Sequence, residues 1–313
     1  MFWLVLAFLC YFKKNKFIFE LTNLHEMSER VKIIECPRDA MQGIKSIIPT
    51  HIKVQYIQSL LRVGFDTIDF GSFVSPKSIP QMADTKAVLS GLDLSNTSSK
   101  LLAIVANKRG AIDASEFEEI DYLGFPFSIS EIFQMRNTHK TIKESMSTLQ
   151  HILDIASNSN KNVVVYLSMG FGNPYGDPWN IEIVSQWVDT LAGLGVKTLS
   201  ISDTIGCATP KSIDLIFNDL IDRYPNIEIG AHFHTTKYSW YEKVDTAYNA
   251  GCKRFDGAIQ GYGGCPMAKD ELVGNMPTEK LLSYVTSKGE DLLKATSFES
   301  AYNEASKIFN NYF

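Results

Sequence analysis

Two histidines one residue apart, His232 and His234, stand in the stretch Ala231-His232-Phe233-His234-Thr235-Thr236, after the strand-like run Ile227-Glu228-Ile229-Gly230. Residues i and i+2 of a strand face one side, so the two imidazoles project together, about 6–7 Å apart along the backbone. Two imidazoles aimed at one point suit a divalent metal ion, although two unrelated strand-end histidines would look the same. A metal site needs more than two histidines, and Asp39 in Cys36-Pro37-Arg38-Asp39 is the candidate carboxylate. One carboxylate and two imidazoles leave open positions for water and substrate. Oxygen-rich completion favours Mg²⁺ or Mn²⁺, whereas three ligands alone leave Zn²⁺ or Fe²⁺ open. Arg38 is either an ordinary ion-pair partner or a charged donor to an enolate oxygen. Asp203, ahead of Thr204, reads equally as an N-cap or turn residue and as a site residue. Gly261, Gly263 and Gly264 form a flexible loop with Cys265 at its edge. That loop is a plain turn beside a buried thiol, or a lid carrying a proton donor.

These residues need a scaffold, and the chain supplies a repeating one. From residue 31 short β-branched runs alternate with longer amphipathic stretches. The pattern predicts strands over Val31–Cys36, Thr67–Gly71, Leu101–Ala106, Tyr122–Phe127, Val163–Ser168, Thr198–Ser202, Ile227–His232 and Arg254–Ile259. Predicted helices between them include Thr50–Val63, Thr138–Ala156, Ile181–Leu194, Pro210–Tyr224 and Ser239–Ala250. Thr209 is placed as an N-cap before Pro210, and Gly64, Gly195 and Gly251 each follow a helix. Eight strands with crossovers predict an α/β fold of the (β/α)8 barrel type, with a doubly wound sheet as the alternative. A barrel demands that catalytic groups follow strands. Asp39, Asp69, Asp203, His232 and His234 do. The tail after about Pro277 predicts helices over Glu279–Ser287 and Ser297–Phe309, packed beside a single catalytic domain running from residue 27 to 313.

Composition bounds the function. The 313 residues are 45% hydrophobic and 21% charged, as in globular proteins, and the net charge of −5 argues against a nucleic-acid binder. Cys10, Cys36, Cys207, Cys252 and Cys265 are scattered and odd in number, which fits a reducing compartment such as the cytoplasm. The apolar run Phe2–Phe12, followed by Lys13-Lys14-Asn15-Lys16, is too short to span a bilayer. Its charge follows the apolar run instead of preceding it, unlike a signal peptide. Residues 1–26 therefore read as a non-structural extension before a start at Met27, the competing idea being a short membrane anchor.

Several stretches, in order, resemble the 3-hydroxy-3-methylglutaryl-CoA lyase family, among the metal-dependent lyase and Claisen-type TIM barrels. They are Glu35-Cys36-Pro37-Arg38-Asp39-Ala40-Met41-Gln42, Ser72-Phe73-Val74-Ser75-Pro76-Lys77, Pro80-Gln81-Met82, Asp203-Thr204-Ile205-Gly206, His232-Phe233-His234, Gly263-Gly264-Cys265-Pro266 and Gly274-Asn275. The serine-phenylalanine and glycine-cysteine stretches are the specific ones; Arg-Asp and His-x-His are shared with related synthases. The resemblance implies Asp39, His232, His234 and Asn275 as ligands of a divalent cation, Mg²⁺ or Mn²⁺ ahead of Zn²⁺. It implies Arg38, Asp69, Asp203, His232 and Cys265 as the catalytic set, with Arg38, Gln42 and Asp203 bordering the substrate. Cys265 would move a proton from the lid loop. The implied reaction is retro-Claisen cleavage of 3-hydroxy-3-methylglutaryl-CoA to acetyl-CoA and acetoacetate by a homodimer with no nucleic-acid or membrane partner. Asp69 stands where the family usually has Glu, Thr235 where it has Asp, and Asn173 where Cys is common. These departures keep open a related acyl-CoA or 3-hydroxy acid, a Claisen-type synthase, and a non-catalytic metal-binding barrel.

Overall fold

The computed structural model describes residues 30–264, 273–290 and 295–312. The apolar run before Met27 and the thiol of Cys265 lie outside the described residues. Eight parallel strands form a closed ring: β1 (Lys32–Glu35), β2 (Thr67–Ser72), β3 (Lys100–Ile104), β4 (Tyr122–Ser128), β5 (Asn162–Ser168), β6 (Thr198–Asp203), β7 (Glu228–Thr235) and β8 (Arg254–Gly257). Each pairs with the next, and β8 pairs with β1, so no open edge is left. This is the (β/α)8 barrel, not the doubly wound sheet. A short ninth strand, β9 (Gly274–Asn275), runs antiparallel to the end of β7 and sets Asn275 beside His234.

The strands are buried on both faces, as parallel strands under a helical layer must be. β2 and β6 have no exposed residue. Outward side chains pack on the outer layer: Phe233 meets Phe171 in the turn after β5 and Phe217 in the helix Pro210–Arg223, with ring centroids 5.7 and 6.2 Å apart. Burying each of those rings stabilises the fold by about 1.5–3 kcal/mol. Inside the barrel, Leu102, Ile104, Tyr122, Val164 and Tyr166 form an apolar cluster. The remaining interior is polar, which prepares the site.

Three local features set the geometry at the strand mouths. The segment after β1 is a short helix over Pro37–Gln42 with Pro at its first turn. Proline is pre-set for that position, and the helix turn brings Arg38, Asp39 and Gln42 onto neighbouring faces at i,i+3 and i,i+4 spacing. The single helix expected over Thr138–Ala156 is two, Glu131–Thr138 and Ile142–Asn158. The chain breaks because His139 takes φ 55° and Thr141 opens a capping box with Glu144. The break places Arg136, His139 and Lys140 on the rim of the barrel cavity. The Thr209 cap on Pro210–Arg223 is present, and Gly64, Gly195 and Gly251 all adopt positive φ.

The tail helices Thr278–Ser287 and Ala295–Tyr312 are present. The latter sets Phe309 edge-on to Tyr56 at 6.3 Å and flat against Tyr262 at 4.0 Å. Tyr262 stands at the base of the glycine loop, so the C-terminal helix braces that loop from outside.

Candidate active site

The C-terminal mouth of the barrel opens into a cavity of about 590 Å³. Its floor carries Arg38, Asp39, Gln42, His232 and His234, and its rim carries Lys77, Arg136 and Lys140. A groove of similar volume, about 610 Å³, lies between the helices Thr50–Val63 and Ala295–Tyr312, but no histidine or cysteine among the described residues lines it.

The residues expected to hold a metal come together here. One ligand atom each from Asp39, His232 and His234 lies within 4.8 Å of the others. Both imidazoles point from β7 into the barrel, ring centroids 5.4 Å apart. The Nδ1 of His234 lies 2.9 Å from the carbonyl oxygen of Thr204, which can only accept. The Nδ1 of His232 lies 3.1 Å from an Asp256 carboxylate oxygen. With both Nδ1 atoms engaged, both Nε2 atoms are left for a cation. Asn275 donates through Nδ2 to Asp39 (2.8 Å) and to the Tyr262 carbonyl (2.8 Å), which leaves its Oδ1 as a fourth ligand atom. Two imidazoles, a carboxylate and an amide oxygen are a donor set that fits a hard or borderline divalent ion. A side chain at position 263 would meet Asp39, Ala40 and Asn275 at 2.6–2.8 Å, and Gly263 has φ +88°, so only glycine lets the loop pass this close to the ligands.

Arg38 ties the carboxylates together. Its Nε and Nη2 bond to Asp69, the former at 3.1 and 3.2 Å, and its Nη1 bonds to Asp39 at 2.9 Å and to Gln42 at 3.0 Å. Gln42 also donates to Asp39 at 2.6 Å. Asp39 is buried, which opposes ionisation, but Arg38 and the two histidines outweigh burial and hold its carboxyl below the usual carboxylate range. Burial pushes Asp69 up to about 6 against the pull of Arg38, so the pair is ionised at neutral pH. Burial and the neighbouring His232 bring His234 down to about 4, which keeps it a neutral donor.

The carboxylate of Asp203 is not part of the cavity wall. It is fully buried, with one oxygen accepting from Lys243 at 2.6 Å and the other from the Ala208 amide at 3.0 Å. Ser200 and Ser202 face the barrel interior, and a period of two turns Asp203 outward. Lys243 also reaches the carbonyls of Gly206 (3.0 Å) and His234 (2.9 Å), so the pair clamps the ends of β6 and β7 together. The N-cap or turn reading of Asp203 describes this placement better than a substrate contact does. The structure also adds partners that sequence reasoning missed: Asp256, Ser200 and the carbonyl of Thr204. Asp256 lies in a predicted strand two residues after Arg254, but no spacing signal ties it to His232.

The sequence profile described as HMGL-like matches residues 30–304. The chain belongs to the HMGL-like family. One relative, the hydroxymethylglutaryl-CoA lyase YngG of Bacillus subtilis (strain 168), is 35% identical over 246 residues, covering 79% of this chain and 81% of the relative. The cytoplasmic 3-hydroxy-3-methylglutaryl-CoA lyase of Rattus norvegicus is 32% identical over 273 residues, covering 86% and 78%. Among solved structures, an HMG-CoA lyase from Acinetobacter baumannii in complex with coenzyme A and 3-methylmalate superposes with a TM-score of 0.83 at 26% identity, covering 90% and 92%. In this HMGL-like chain no described helix is long and apolar enough to cross a membrane.

Proposed function

We propose that this protein is a divalent-metal-dependent hydroxymethylglutaryl-CoA lyase, a carbon–carbon lyase releasing acetyl-CoA and acetoacetate. The observation that carries the reading is the convergence of Asp39, His232, His234 and Asn275 beside Arg38 at the strand mouth. It occurs in a chain whose relatives bear that name over most of their length.

Asp39, the two Nε2 atoms and the Asn275 amide oxygen would hold the cation, Mg²⁺ or Mn²⁺. When bound, it supplies a Lewis acid for the substrate's tertiary hydroxyl and carboxylate. Arg38 has five N–H donors, and the four hydrogen-bonded directions above leave one, on Nη2, for the thioester oxygen. The hydroxyl passes its proton to water, its O–H electron pair becomes the new carbonyl of acetoacetate, the pair of the broken C–C bond enters the acetyl-CoA enolate, and a charged donor at that oxygen lowers the barrier. Gln42 stiffens Arg38 and Asp39 together and stands at the substrate's edge. Cys265, by its place after the glycine loop, is assigned the proton returned to the enolate carbon. The rim cations Lys77, Arg136 and Lys140 suit the phosphates of a CoA ester. The reading extends to a homodimer and to the cytoplasm, the compartment named for some relatives while others are named mitochondrial.

The test is acetoacetate release from 3-hydroxy-3-methylglutaryl-CoA with Mg²⁺ or Mn²⁺, with a chelator, and with Asp39→Asn. Metal-dependent release that is lost in both controls supports the proposal. Folded, metal-loaded protein that releases nothing moves the substrate to another acyl-CoA or 3-hydroxy acid.

A further inference from the structure

The interior face of β8 carries two charged side chains that the reaction above does not use. Arg254 and Asp256, at i and i+2, face the same side of the strand, and both are almost wholly buried. Arg254 sits opposite Gly230 in register, where a Cβ would lie 2.8 Å from its Cδ, so glycine makes its room. Its Nη1 bonds to Glu228 at 3.2 Å, while its Nε and Nη2 have no hydrogen-bond partner among the described residues. Asp256 is the register partner of His232 on the neighbouring strand. Its Oδ2 takes the His232 Nδ1 at 3.1 Å and the Ser200 hydroxyl at 3.0 Å, and its Oδ1 has no hydrogen-bond partner among the described residues.

We propose that Asp256 is the positioning residue of the metal centre: it holds His232 in the Nδ1–H tautomer and aims Nε2 at the point shared with Asp39 and His234. The inference rests on the metal-site reading above. A neutral imidazole can offer only one nitrogen to a cation, and which one is set by the bond the other makes. A buried carboxylate is acceptor-only, so it selects the proton on Nδ1. The Ser200 hydroxyl already occupies one direction at Oδ2, which fixes the carboxylate plane. Arg254, on the same face, keeps a positive charge near it in a place where an isolated carboxylate would be costly. His234 reaches the same tautomer by another route, through the Thr204 carbonyl. The two histidines can therefore be perturbed separately.

The experiment has two readouts besides turnover. The first is the ring ¹⁵N spectrum of His-labelled apoprotein at alkaline pH, with assignment by His→Gln variants. The wild type should show His232 protonated on Nδ1. In Asp256→Ala and Asp256→Asn the His232 signals should change while those of His234 stay. The second is Mn²⁺ affinity by electron paramagnetic resonance. Both variants should bind roughly 10–100-fold more weakly. Ser200→Ala, which removes one hydrogen bond to Asp256, should weaken binding by a smaller factor, roughly 2–10-fold. A wild-type His232 protonated on Nε2 overturns the proposal even if no variant folds. So does a folded Asp256 variant with wild-type Mn²⁺ affinity. Wild-type protein that binds no Mn²⁺ at all fails the metal-site reading itself, and is told apart by the absence of signal to perturb.

Discussion

Replacing Arg38 by Met separates the two roles the structure gives this guanidinium. One is structural. Asp69 is fully buried, and among the described residues Arg38 is its only side-chain hydrogen-bond partner. Removing one member of a buried ion pair costs about 3–5 kcal/mol, because the other charge is left uncompensated. The other role is chemical. One donor aimed at a developing oxyanion is worth roughly 10²–10³ in kcat. Arg38→Met should therefore lose both stability and turnover. Asp69→Asn in the same chain removes the stranded charge, so the double variant should regain most of the stability and none of the kcat. Urea unfolding and acetoacetate release at saturating metal measure the two quantities on the same protein. An Arg38→Met enzyme with kcat within tenfold of wild type would refute the oxyanion role. Recovery of kcat in the double variant would show that the loss came only from the unpaired Asp69.

Asp69→Glu lengthens a fully buried side chain with three close contacts to Arg38, so it should cost about 1–3 kcal/mol by overpacking. Unchanged unfolding free energy, together with raised activity, would mean that Arg38 shifts to accept the longer acid. Glu35 gives a pH dependence. It is buried at the end of β1, where its oxygens accept from the Ile259 amide and the Thr278 hydroxyl, and burial raises it to about 8 from the usual 4.5. Between those values the folded chain keeps a proton that the unfolded chain has lost. Its contribution is therefore fully present below about 4.5 and falls by on the order of 1 kcal/mol per pH unit as pH rises toward 8. Glu35→Gln mimics the protonated form and should flatten that slope; denaturation curves at several pH values that decline equally in both proteins would count against it.

The sequence alone carried a good deal of this. His232 and His234 share a face because a strand has a period of two, and no tertiary information is needed to see it. Eight β-branched runs with capped helices between them specify a parallel α/β fold, since each crossover must return to a parallel neighbour, and closure of the ring between β8 and β1 decided for the barrel over the doubly wound sheet. The barrel in turn predicts that Asp39, at the first strand's end, lies near the histidines. Tertiary structure decided what local pattern cannot encode. Asp203 ends a strand like the other site residues, yet its carboxylate turns outward because position 203 falls on the helix-facing side, where Lys243 from a distant helix meets it. The split at His139 put cations on the cavity rim, although the Thr141–Glu144 cap was written in the chain. Asp256 was invisible as a partner of His232, because register between adjacent strands, not spacing along one of them, brought the two side chains to 3.1 Å. Periodicity fixes which face a residue occupies; only closure of the ring fixes which residue it meets there.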